Sequence, residues 1–161
     1  LSLSVLISHK KVVALFKDQE AEIYFQIPSS IKGKVSEYVN FFLKNGNLIP
    51  WFLPVIIGDD YTSAIEFLEL LKPKKLVSNN TGIVVEANRM GIDWIAGPFL
   101  NTVNSYSLLC LKEDLNCKGA FLSSELNQRQ IKRIQKPKDF DLYYSFYHLN
   151  DCKAVCFSSN I

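Results

Sequence analysis

The sequence predicts an α/β fold: a partial (β/α) TIM-type barrel with about five to six parallel strands alternating with helices. An open, doubly wound sheet is the alternative. Three observations predict it. Short apolar runs recur, and each ends in polar or chain-breaking residues: KLVS runs into Asn79, IDWIA into Gly97, AFL into Ser123. Between these runs, apolar residues repeat at helical steps, as in Tyr106, Leu108, Leu109, Leu111 and Leu115. Third, the chain is 48% hydrophobic and only 21% charged, which suits a sheet covered by helices on both faces.

The elements follow in order. Lys11 to Phe16 reads as a strand, Asp18-Gln19-Glu20 as a turn, and Glu22 to Ile27 as the next strand, ended by Pro28. Lys34 to Lys44 places Val35, Tyr38, Val39, Phe42 and Leu43 on one helical face, and Asn45-Gly46-Asn47 closes it. Leu48 to Ile57 is strand-like, but Pro50 and Pro54 shorten it because proline has no ladder donor. Asp59-Asp60 leads a helix from Tyr61 to Leu71, at the positive end where acids are favoured. Lys75 to Ser78 is a brief strand into Asn79-Asn80-Thr81-Gly82, and a short helix runs through Glu86 and Met90. Ile92 to Ala96 is a strand broken by Gly97-Pro98. The Tyr106–Leu115 helix, the Ala120-Phe121-Leu122 strand, a basic helix from Asn127 to Ile134 and a strand from Phe140 to Tyr147 complete the series.

Such alternation means a parallel sheet wrapped by helices, and handed crossovers leave few topologies. An eight-fold barrel normally needs about 250 residues. These 161 residues therefore read as one domain, the later part of a larger barrel protein cut at both ends. A truncated barrel has open sheet edges, so self-association is expected. Eighteen basic against 16 acidic residues, net +2, neither imply nor exclude a polyanionic partner. No apolar run reaches the ~20 residues that span a bilayer. Leu1 to Ile7 lacks the basic leader of a signal peptide. Four cysteines, Cys110, Cys117, Cys152 and Cys156, in an α/β chain that otherwise reads as cytoplasmic point away from a disulfide scaffold.

In parallel sheets, ligands meet the carboxyl ends of the strands. Asn101, Asn104, Ser123 and Glu125 should share that rim. Asn side chains offer donor and acceptor, and a carboxylate beside them can hold or deprotonate a polar ligand. Asn79 and Asn80 stand at an equivalent strand end, with N-cap and turn chemistry as the alternative. Ser123, Glu125 and His148 are triad-like by residue type. Ser123, however, is not on a Gly-x-Ser-x-Gly elbow. The aromatic run Tyr143, Tyr144, Phe146, Tyr147 could stack bases or simply pack a core strand.

From Gly97 to Leu126 the chain resembles the collagenase-like peptidases, the U-32 family. An apolar strand enters Leu100-Asn101-x-x-Asn104-Ser105; after a helix, a second strand enters Leu122-Ser123-x-Glu125-Leu126. The family usually has proline where Ser124 stands. Leu53-Pro54, Asn79-Asn80-Thr81-Gly82 and Ala96-Gly97-Pro98 fit as well, so the resemblance spans roughly Pro50 to Tyr147. It implies a barrel and a peptidase, with Glu125, Ser123 and His148 as catalytic candidates. Asn79, Asn80, Asn101, Asn104 and Ser105 are then the substrate-binding candidates, for a peptide or RNA substrate. Other members are oxygen-independent hydroxylases of ribosomal RNA, transfer RNA or a quinone precursor, with an iron–sulfur cluster held by cysteines. Cys156 resembles one ligand position, and Cys152 is displaced from another. An inactive fragment or interaction module is the third reading.

Overall fold

A computed structural model describes residues 2–16, 18, 20–147 and 154–159. The strands are β1 (Ser2–Ile7), β2 (Ala21–Gln26), β3 (Leu48–Phe52), β4 (Lys75–Ser78), β5 (Asp93–Ala96), β6 (Gly119–Phe121), β7 (Asp141–Tyr147) and β8 (Ala154–Ser159). The α-helices are α1 (Val35–Lys44), α2 (Asp59–Leu71), α3 (Thr81–Arg89), α4 (Ser105–Leu115) and α5 (Gln128–Ile131). Strands β1 to β7 pair in chain order, all parallel, as a curled part of a (β/α) barrel. β8 runs antiparallel to both β7 and β1 and joins the two edges into a closed ring.

The expected alternation of parallel strands and helices is therefore present, with two more features. Among the described residues there are seven parallel strands rather than about five to six, and one antiparallel strand closes the ring. Closure fits in a short chain because an antiparallel neighbour such as β8 needs no helical crossover to pair with β7. Both β1 and β7 have partners on each side, so the open edges invoked for self-association do not occur among the described residues.

Lys10–Phe16 is a 3-10 segment, not a strand. The strand is the preceding apolar run, β1, and the chain must cross back before β2 can lie parallel to it. Only Val13 of that segment is buried, and Leu15 is exposed. β3 ends at Phe52, short of Pro54, and Pro50 lies in the part of β3 that pairs only with β2. Asp59 and Asp60 occupy the first turn of α2, where Lys32 pairs with Asp59 at 2.5 Å.

Period-two alternation divides the core. Inward side chains Tyr24, Trp51, Val77, Ile95, Phe121 and Tyr143 fill the ring. Tyr143 stacks on Phe121 at 4.4 Å, and Trp51 meets the same ring edge-on at 4.8 Å. Tyr143 is thus a core side chain, not an exposed base-stacking surface, and Tyr144 packs against the outer core. Outward residues such as Phe25, Phe52, Trp94 and Leu142 pack beneath the helices. Near the amino ends of the strands, the Tyr24 hydroxyl donates to Glu22 at 2.7 Å, and Lys75 pairs with Glu22 at 2.5 Å. Burial, then the neighbouring Tyr143 and Glu22, pushes the Tyr24 phenol well above its ordinary range. Burial also raises Tyr143.

Candidate functional site

The carboxyl ends of β5 and β6 are parallel neighbours, paired through Ile95–Gly119 and Ala96–Ala120. The chain after β5 and the chain after β6 therefore leave on the same rim, which places Asn101, Asn104, Ser123 and Glu125 there as expected. Thr102, fully buried, ties the two loops together. Its Oγ1 donates to the Phe121 carbonyl at 2.7 Å, and its own carbonyl accepts from the Ser123 N–H at 3.3 Å.

The rim residues divide by what their side chains already do. Asn104 is the N-cap of α4: its Oδ1 accepts from the Ser107 N–H at 2.9 Å, and the Ser107 hydroxyl completes a capping box. Ser105 Oγ accepts from the Gln135 N–H at 2.8 Å, which ties the chain after α5 to the start of α4. Asn80 caps α3 through Ile83 at 3.1 Å and donates to the Pro54 carbonyl at 3.0 Å. Asn79 is buried; its Nδ2 donates to the Phe52 carbonyl at 2.9 Å, and its Oδ1 accepts from the Phe99 N–H at 3.1 Å. Asn104 and Asn80 match the alternative reading, cap chemistry, whereas Ser105 and Asn79 bond backbone groups of distant segments and act as braces.

Asn101 and Glu125 differ. Both are exposed, and neither side chain has a hydrogen-bond partner among the described residues. Asn101 also takes the left-handed conformation at φ 55°, which Asn tolerates better than most side chains. It lines, with Leu100, Tyr106 and Cys110, a shallow depression of about 300 Å3 on the flank of α4. Ser123 Oγ accepts from the Glu125 N–H at 3.3 Å, so the two residues form a local turn. His148 lies outside the described residues, and no nucleophile–base pair involving Ser123 is seen among those that are described.

Cys152 lies outside the described residues; Cys156 falls in β8. Cys117 is buried with its thiol donating to the Gly119 carbonyl at 2.9 Å, and burial pushes its pKa up to about 12. Cys110 is half-buried on α4. Among the described residues no group of three or more His, Cys, Asp or Glu stands together as a metal site. Nor is any helix among them long and apolar enough to cross a membrane.

Thr102, which no sequence motif singles out, and Gly97, legible in sequence only as a strand breaker, hold the rim together. Thr102 was hidden between two asparagines; its signal was a β-branched polar residue just past a strand end. Gly97 leaves room for Asn79: a Cβ there would stand 2.0 Å from Asn79 Oδ1. Beyond Glu125, Arg129, Lys132, Arg133, Lys136 and Lys138 are all exposed, and none has an ion pair among the described residues. Comparison of the chain with family models, with curated proteins and with solved structures finds no match.

Proposed function

We propose that the chain is the barrel of a collagenase-like, U-32-type enzyme, and that the joined β5 and β6 exits are its substrate face, with a peptide as substrate. One observation carries the reading: Thr102 fastens the two loops side by side while the Asn101 amide and the Glu125 carboxylate stay exposed and unbonded. A peptide group matches that pair. The Asn101 side-chain N–H can donate to the carbonyl oxygen. The Glu125 carboxylate can take a proton from a water that attacks the carbonyl carbon, and return it to the departing amine nitrogen. The test is hydrolysis of a fluorogenic collagen-type peptide by the purified chain. Activity that persists through purification and collapses in Glu125→Gln supports the reading. Cleavage unaffected by that change refutes it.

A second reading, an RNA substrate, is favoured by a different observation. The exposed basic stretch from Arg129 to Lys138 directly follows the Glu125 loop, and Gln135 anchors it to Ser105 at the head of α4. Unpaired cations beside a rim suit phosphate. Binding of a structured RNA that weakens steeply with salt, and weakens again in Lys132→Ala/Arg133→Ala, would shift the assignment to RNA.

A further inference from the structure

We propose that Asn79 is the positioning residue of this rim: it sets the β5–α4 loop, and through it Asn101, without touching substrate. The proposal rests on the reading of the rim as the substrate face. Asn79 is the first residue past β4 and is 3% exposed. Its amide spans the strands on either side. Nδ2–H donates to the carbonyl of Phe52, the last residue of β3, at 2.9 Å; Oδ1 accepts from the N–H of Phe99, beyond β5, at 3.1 Å. The same Phe52 carbonyl also accepts from the Asn79 backbone N–H at 3.2 Å. Gly97 lies directly against the amide, since any Cβ there would fall 2.0 Å from Oδ1. The loop then turns through Leu100 N–H to Gly97 carbonyl at 3.1 Å and delivers Asn101 in its left-handed conformation.

A side chain of this length with a donor at one corner and an acceptor at the other is an amide. Aspartate has the shape but lacks the donor, and leucine lacks both groups. Asn79, itself at the exit of β4, and Thr102 together bind four strand exits, those of β3, β4, β5 and β6, into one scaffold. The Asn101 side chain is exposed and has no hydrogen bond of its own to fix it among the described residues, so its placement depends on that scaffold.

The test has two arms. In the first, amide hydrogen exchange is followed in the wild-type chain and in Asn79→Asp and Asn79→Ser. The wild-type Phe99 amide, although in a loop, should be protected like the β4–β5 ladder. In the variants it should exchange about tenfold faster or more, while β1–β2 ladder amides stay unchanged. The second arm is hydrolysis of the fluorogenic collagen-type peptide. A displaced Asn101 raises KM about fivefold or more and lowers kcat as well, because it bonds the carbonyl oxygen under attack, whereas a variant that is merely partly unfolded loses kcat at constant KM. An unprotected Phe99 amide in the wild type overturns the proposal, even if neither variant folds. Unchanged exchange or unchanged KM in a folded variant overturns it too. If the wild type cleaves no peptide, the substrate reading fails, and the exchange arm alone decides the role of Asn79.

Discussion

Thr102 Oγ1 lies 2.7 Å from the carbonyl oxygen of Phe121, the last residue of β6, and this bond is wholly buried. It joins two loops whose first residues are separated by a full helix and strand. Replacing Thr102 by Val keeps the shape but removes the hydroxyl's bond to the Phe121 carbonyl. The expected loss is about 0.5–1.5 kcal/mol, read as a lower urea midpoint. Thr102→Ser, which keeps the hydroxyl, should lose less.

Gly97 and Asn79 interlock. Gly97→Ala puts a methyl 2.0 Å from Asn79 Oδ1, so the amide must leave its place and abandon Phe52 and Phe99. A destabilisation of about 1–3 kcal/mol is expected from the overpacking. Asn79→Ala makes room for the methyl, so the double variant should be more stable than the sum of the two singles predicts. Additive losses in denaturant titrations would count against the interlock.

Alkaline pH should unfold the chain early. Burial raises Tyr24, Tyr143 and Cys117 in the folded state, so each stays protonated where the unfolded chain ionises. Their stabilising contribution is complete below the ordinary values, about 8.5 for Cys and 10 for Tyr, and is lost as pH rises above them. Once ionised in the unfolded state, each group can cost up to about 1.4 kcal/mol per pH unit. The urea midpoint should therefore decline from about pH 9 upward, and Tyr143→Phe should flatten that decline. A midpoint constant to pH 11 is not compatible with these burials.

The two described cysteines outside the strands should react differently. Cys117 is buried, with its pKa pushed up to about 12, so at pH 8 almost none of it is thiolate. Cys110, half-buried on α4, should be alkylated by iodoacetamide first. Site-resolved mass spectrometry should find Cys117 modified only after denaturant is added.

Most of the architecture was legible because alternation of apolar runs and helical periods is a local pattern. β4 matches its expected bounds, Lys75 to Ser78, and α2 differs only at its start. Lys10–Phe16 misled because Val12 and Val13 carry the chemistry of a strand, while the need for a crossover between parallel neighbours is not local. Ring closure was illegible for the same reason: an antiparallel β8 is a matter of pairing, not of composition. The rim was legible from the rule that parallel strands deliver their ends together. What the asparagines do there was not. Asn79, Asn80 and Asn104 look alike in sequence, and only the carbonyls and N–H groups brought to them by other segments make one a brace and two caps.

The central claim is that Asn101 and Glu125 serve one bound substrate from adjacent loops. A double-mutant cycle in the hydrolysis of a fluorogenic collagen-type peptide tests it most directly, using Asn101→Ala, Glu125→Gln and their combination. Glu125→Gln should lower kcat/KM by about 10²–10⁴ and Asn101→Ala by a smaller factor; the urea midpoint should be unchanged in Glu125→Gln, whose side chain is exposed, and slightly lowered in Asn101→Ala, since Ala tolerates the left-handed φ of 55° less well than Asn. The combined loss should fall short of the product of the two, since the residues act on the same reacting group. Variants that cleave as fast as the wild type, or losses that simply multiply, would contradict the account.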